Sequence, residues 1–259
     1  MNLIILTSDD RLDGNLYSVK DHRARHIHSV LKVGPGDKVG VGLLNGPLGA
    51  AVIRHLGAEE VVLECDSWVS LPDPAATIDL ICALPRPQTL KKVLTTAAMM
   101  CVRRVHLVRA HRVEKSYFQS PVLLPHNYTR HLIDGLSQAK LTRLPEVHIH
   151  RRFRVFFEDT LGQLEDSELS PATRLLPDPD AESGLGEVLN AQSNRLLLAF
   201  GPEGGWIPFE FELMRETGFA AFSLGGWILR TETAITAALA QVELMRHLGS
   251  TSDGHRKGT

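Results

Sequence analysis

The chain is 259 residues long, 43% hydrophobic and 22% charged, with a formal net charge of -2. A soft prior of roughly 150 residues per domain makes this one large domain or two smaller ones, and the composition excludes wholesale disorder. The near-neutral total excludes a uniformly basic, histone-like binder but hides segregation: residues 77–154 hold 14 Lys+Arg against 4 Asp+Glu, and residues 155–190 hold 1 against 9. Such asymmetry suggests a surface that faces a polyanion; the plain alternative is that the cations solvate exposed helix faces.

In chain order, the start MNLIILTSDDRLDG has a short apolar run and no basic region before it, unlike a signal peptide. A helix is expected over about 21–31. The runs 34–46, 49–57 and 59–66, split by Gly, Pro and Asn, read as a small antiparallel sheet or barrel. Segment 70–76, with two prolines, reads as an interdomain linker. The expected division is therefore a β-rich domain at 1–70, a linker at 71–76, a second domain at 77–249 and a flexible tail at 250–259.

After the linker the rhythm changes to alternating strands and helices. Strands are expected at 77–84, 103–110, 145–151, 174–177, 195–201 and 219–225. Helices are expected near 88–101, 125–140, 153–164, up to about 190, near 208–217, and in a long final stretch. This alternation implies an α/β domain with a mostly parallel sheet and helices on both faces. Pro208 at the first turn and Gly218 just beyond bracket one helix. In the last, Ile235, Ala238, Leu239, Val242 and Leu248 recur at helical spacing, Thr231 is placed to cap the start and Gly249 to end it.

Cys65, Cys82 and Cys101 are odd in number and form no CxxC, which fits a reducing compartment and buried thiols. No run of about 18 apolar residues implies a membrane span, so the cytoplasm is the expected location. His26-x-His28 and His148-x-His150 have the spacing of one strand face, but a third metal ligand is not evident, so no metal is expected. The acidic stretch 158–187 reads as a solvated insertion rather than a calcium loop.

Parallel α/β sheets hold ligands beyond the carboxyl ends of their strands. Two such ends stand out. LAFGPEGGW (198–206) crowds three glycines and a proline into a turn where backbone can approach a ligand. LGGWILRTETA (224–234) joins a strand end and two glycines to a helix start carrying Arg, Glu and Thr, a place suited to an anionic or polar group. GxxxxGK[ST], GxGxxG and GxSxG are all absent, which argues against a P-loop enzyme, the usual dinucleotide turn and a nucleophile elbow.

The pair GPEGGW and LGGWILRTETA resembles the RsmE family of SPOUT methyltransferases, whose pattern is GPEGG followed by LG-x-x-ILRTETA. The resemblance spans about residues 22–248 and takes in HIHSVLKVGPGDKV and the Arg143-Leu144-Pro145-Glu146-Val147 segment. It implies a PUA-like amino-terminal barrel and a carboxyl-terminal SPOUT domain with a trefoil knot. It also implies a homodimer, and S-adenosylmethionine-dependent N3-methylation of one uridine in small-subunit (16S) ribosomal RNA. The chain departs from the pattern at Trp227, where Arg is usual, and at Asp178-Pro179, where His-Pro is common. It departs again at Met99-Met100-Cys101-Val102, where Glu-Leu-Gly-Val is usual, and at Ser137-Gln138, where Glu-Gln is common.

On this reading Gly201 and Gly204, with Leu224, Gly225, Gly226, Trp227, Ile228 and Leu229, wrap the cofactor. Leu176, Leu198, Phe200 and Thr233 complete its site. Arg230 stabilises negative charge developing on the uracil oxygens, and Glu203 or Glu232 accepts a proton or binds the ribose hydroxyls. RNA phosphates meet Arg23, Arg25, Arg86, Lys91, Lys92, Arg103, Arg104 and Arg112. Two other readings stay open: an inactive RNA-binding or assembly module of the same fold, for which Trp227 is the warrant, and a SPOUT methyltransferase acting on another RNA site.

Overall fold

A computed structural model of the chain describes residues 3–69, 77–164, 172–189 and 195–254. The expected linker at 71–76 and the end of the expected tail lie outside these residues. The chain divides into two compact units, residues 1–75 with 132–144, and residues 76–131 with 145–259.

The first unit is a five-stranded sheet of order β1-β3-β4-β5-β2, built from β1 (Ile4–Leu6), β2 (Leu16–Val19), β3 (Lys38–Leu43), β4 (Leu48–Leu56) and β5 (Val61–Val69), with helix α1 (His22–Val30). β3, β4, β5 and β2 pair antiparallel as the turn residues predict, but β1 pairs parallel with β3. Strands β1 and β2 are three and four residues long, too short to show a period in the sequence. Register shifts at Ala50/Ala51 and Ile53/His55 bend the long β4–β5 ladder and curl the sheet around Leu6, Val19, Ile27, Val41, Ile53 and Leu63, all fully buried. Asp21 caps α1 by accepting the Arg23 N–H at 2.8 Å. One expectation fails here: His26 and His28 lie within α1, where residues two apart point about 200° away from each other, so they share no face.

The second unit is a six-stranded sheet of order β11-β9-β10-β6-β7-β8, parallel throughout. Its strands are β6 (Ile78–Ala83), β7 (Arg104–Val108), β8 (Glu146–His150), β9 (Thr173–Pro177), β10 (Leu196–Phe200) and β11 (Ala220–Phe222). Every residue of β6 and β10 is buried, as central parallel strands require, and only Asp79 of β6 interrupts their apolar runs. The helices are α2 (Pro87–Met99), α4 (Phe153–Val155), α5 (Leu161–Gln163), α6 (Leu185–Val188), α7 (Pro208–Glu216) and α8 (Thr231–Gly254), with a π turn over Phe156–Thr160 between α4 and α5; α3 (Pro125–Ala139) begins in this unit, and its residues from 132 onward belong to the first. The sequence rhythm from residue 77 onward is thus reproduced element by element.

Helix ends follow local chemistry. After α7 the Gly218 N–H bonds Arg215 at 2.9 Å and the Phe219 N–H bonds Met214 at 3.0 Å, with Gly218 at φ +86°. After α2 the same arrangement forms with Cys101 at φ +55°, the Val102 N–H reaching Ala97 at 2.9 Å. A side chain here occupies a backbone position that favours glycine. Helix α8 corrects two expectations. It begins at Thr231, with the Ala234 N–H on the Arg230 carbonyl at 2.8 Å, so Arg230 takes the capping place. It also runs through Gly249 to Gly254; one glycine inside a helix costs about 1 kcal/mol, which does not stop it.

At the amino ends of the strands Arg195 and Asp79, 1% and 0% exposed, meet at 2.6 Å, and Arg103 approaches the other Asp79 oxygen at 3.4 Å. On the edge pair, His148 and His150 share one face of β8 as their spacing predicts, and His106 of β7 joins them. His106 Nδ1 lies 3.1 Å from His150 Nε2. Burial and the neighbouring rings push His106 down to about 3 and His150 down to about 4. Among the described residues no group of three or more His, Cys, Asp or Glu is placed to hold a metal, and no helix is long and apolar enough to cross a membrane. Cys65 and Cys82 are buried and Cys101 is half-buried; burial pushes the Cys82 thiol up to about 12.

Candidate active site

Five strands of the second unit, β6, β7, β9, β10 and β11, send their carboxyl-end loops into one cavity of about 930 Å³. That is the position and size range expected of a ligand site on a parallel sheet. The loop after β10 turns at Pro202, whose carbonyl accepts the Gly205 N–H at 2.8 Å, and Gly205 takes φ +73°. The Arg112 guanidinium donates to the Gly204 carbonyl and holds the loop from outside. A Cβ added at Gly201 would sit 3.2 Å from the Trp206 indole nitrogen. Glycine there lets ring and backbone close together and leaves the cavity floor bare.

The loop after β11 is shaped by Gly225 at φ +132°, whose missing Cβ would lie 3.0 Å from the Trp227 ring. The Ser223 hydroxyl accepts the Gly225 N–H at 3.2 Å, and Gln241 of α8 donates to the Leu224 carbonyl at 3.2 Å. This loop delivers the chain to the start of α8, where Glu232 meets Lys92 Nζ at 3.1 Å. The Glu232 carboxyl is held below its usual range, first by its own backbone N–H at the helix start, then by Lys92 and Arg230. A carboxylate stabilised in this way is a weak base and a good anchor for hydroxyl or ammonium donors. Glu203, 41% exposed, stands 4.0 Å from Arg86, a surface pairing worth little by itself.

The structure brings together most of the residues expected of the site. Phe200, Gly201, Glu203, Gly204, Leu224, Gly225, Trp227, Ile228, Leu229, Arg230 and Glu232 all line the cavity, as do Arg86, Lys92 and Arg112 from the basic set. Leu176, Leu198, Gly226 and Thr233 are not in the lining. Leu176 and Leu198 are fully buried within their strands, so the neighbouring Pro177 and Phe200 reach the cavity instead. Trp227 and Ile228 are 75% and 90% exposed at the cavity.

Three arginines of the basic set are committed inside the protein. Arg23 makes a two-pronged pair with Asp10, both contacts at 2.7 Å, and donates to the Ile5 carbonyl. Arg103 faces Asp79, and Arg104 pairs with Glu146 at 3.2 Å. Arg25 is exposed and Lys91 half-buried.

Asp178 and Asp180 correct the picture of an acidic insertion: both line the cavity, and β9 just before them is an interior strand of the sheet. Thr89, Trp206 and Phe211 were not singled out by sequence reasoning and also line it. Only the adjacency of Trp206 to GPEGG signalled any of the three.

The lining fits a nucleoside-bearing cofactor. The Trp206 Nε1–H is buried with no partner among the described residues, and carboxylates and guanidinium groups face the same space.

A family profile described as RNA methyltransferase domain matches residues 72–243. "Ribosomal RNA small subunit methyltransferase E" of Treponema pallidum is 30% identical over 249 residues, covering 95% of this chain and 92% of that protein. "Ribosomal RNA small subunit methyltransferase E 1" of Borreliella burgdorferi is 26% identical over 241 residues, covering 92% and 95%. Among solved structures, a ribosomal RNA small subunit methyltransferase E from Neisseria gonorrhoeae bound to S-adenosyl methionine superposes with a TM-score of 0.75 at 22% identity, covering 94% of this chain and 98% of that one, which establishes the shared fold.

Proposed function

The chain belongs to the RNA methyltransferase family, in its small-subunit methyltransferase E branch, and from that premise we propose that it methylates N3 of one uridine in small-subunit (16S) ribosomal RNA, with S-adenosylmethionine as cofactor. The observation that carries the reading is the convergence of the two glycine loops and the Arg230–Glu232 helix start on one cavity. The neighbour solved with S-adenosyl methionine supports the choice of cofactor through its shared fold.

When bound, the cofactor supplies a methyl group on a sulfonium, and the backbone of the 201–205 and 224–229 loops would hold it. The chain's own task is positioning, since transfer needs a nucleophile in line and little else. Uridine N3 carries a weakly acidic proton. Arg230, exposed at the cavity rim, stabilises the negative charge that spreads to the uracil oxygens as this proton leaves. Glu203 takes the proton. Glu232, held ionised, keeps Lys92 in place and binds hydroxyl or ammonium groups.

The proposal extends to the whole chain: a PUA-like RNA-gripping domain at 1–70, a linker at 71–76, the methyltransferase domain at 77–249 and a tail beyond 249, acting as a cytoplasmic homodimer. The curled five-stranded sheet supports the first part. A knot in the second is supported by the strand order, in which the chain leaves β10, passes β9 to form β11, and returns in α8 to pack on α2 and β10.

The test is transfer of labelled methyl from S-adenosylmethionine to small subunits or free 16S rRNA from cells lacking the protein. N3-methyluridine at one position is the expected product. Calorimetric binding of the cofactor without any transfer to RNA contradicts the reading, and label at another atom moves the enzyme to a different SPOUT specificity.

A further inference from the structure

Resting on that reading and going beyond it, we propose that Trp227 is a stacking platform that holds one unstacked base of the RNA substrate at the mouth of the cavity. A tryptophan 75% exposed to water is an unusual use of the largest apolar side chain. This one is also held in place. Its ring lies against the bare backbone of Gly225, where a Cβ would stand 3.0 Å and 3.1 Å from two ring carbons. Gly225 takes φ +132°, a conformation that other residues rarely adopt, so the loop is built around this contact. The remaining ring surface is presented to solvent.

The surroundings choose the occupant. Trp227 shares its cavity with Arg86 and Lys92, 70% and 62% exposed, and with Arg230. Protein interfaces gather apolar residues at their centres and exclude charge from them. An exposed aromatic ring beside exposed cations instead matches single-stranded RNA, whose bases stack on the ring while its phosphates meet the cations. The cavity behind the ring must also receive a base taken out of its stack, since N3 of a paired uridine is not accessible.

The experiment compares wild type with Trp227→Ala and Trp227→Phe. Removing an aromatic platform costs about 1–3 kcal/mol per stacked base, so Trp227→Ala should raise KM for the RNA about 5- to 100-fold. Trp227→Phe should recover most of the loss. Independently of catalysis, short oligouridine should quench tryptophan emission more strongly in the wild type than in Trp227→Phe, where Trp206 remains in the cavity.

An unchanged RNA KM in Trp227→Ala, or quenching equal in wild type and Trp227→Phe, overturns the proposal. So does a change of oligomeric mass in Trp227→Ala with RNA affinity intact, which would assign the ring to a second copy of the chain. If the wild type transfers no methyl group at all, the methyltransferase reading fails, and the quenching comparison still decides whether Trp227 stacks on a base.

Discussion

The two ends of the parallel sheet are built on opposite principles. At the amino ends of β6 and β10 a carboxylate and a guanidinium are sealed from water in direct contact, with Arg103 closing the group. At the carboxyl ends, charges of the same kinds stand half in water, Arg86 near Glu203 and Lys92 beside Glu232, around bare glycine backbone. A sealed ion pair is expensive to break and has no substrate to meet; an open one is energetically slight and free to exchange its partner for a ligand. The same residue types therefore hold the fold together at one end and are left available for chemistry at the other.

The largest expected effect breaks this contrast at the sealed end. Asp79→Ala leaves Arg195 buried without its carboxylate and should lower unfolding free energy by about 3–5 kcal/mol, read from urea denaturation. At the open end, Arg230→Ala should leave the denaturation midpoint unchanged and reduce the methyl-transfer rate by about 10²–10³-fold. Equal stability losses in the two variants would erase the distinction between the ends.

Most of this was legible before the structure, for a physical reason. From residue 77 onward the central strands are mostly apolar, and helices such as α7 carry end signals, Pro208 and Gly218, so local sequence declares local structure. What was hidden depends on contacts distant in sequence. Asp79 and Arg195 are 116 residues apart and nothing near either names the other. The commitment of Arg23 to Asp10 likewise removes a cation that composition counts as available. In the site, the glycine loops were readable because backbone exposure needs glycine. Thr89 and Phe211 were not, because being cavity lining is a property of the assembled sheet and not of a motif. Leu176 and Leu198 are fully buried inside their strands, and the cavity is reached instead by Pro177 and Phe200, the last residues of β9 and β10.

The edge of the sheet offers a smaller, pH-dependent effect. His106 and His150 titrate near 3 and 4 in the fold and near 6.5 in an unfolded chain. The unfolded state therefore binds more protons below about pH 6.5, and stability falls as pH falls from there toward the folded values. The slope should approach about 1.4 kcal/mol per pH unit for each histidine. Urea midpoints at neutral and mildly acidic pH should show this loss, and His106→Phe should flatten it. A slope that survives His106→Phe unchanged would assign it to other groups.

The smallest expected effect is a gain. Cys101 sits at φ +55° in the turn that closes α2, and Cys101→Gly should raise stability by about 0.5–1 kcal/mol in the same assay without touching methyl transfer.

The central claim, that the open end of the sheet is the active site of a 16S rRNA methyltransferase, is tested most directly by mass spectrometry of small-subunit rRNA from cells lacking the protein. The account predicts that one N3-methyluridine disappears, returns with the wild-type chain, and stays absent with Arg230→Ala. An rRNA modification pattern identical with and without the protein would contradict it.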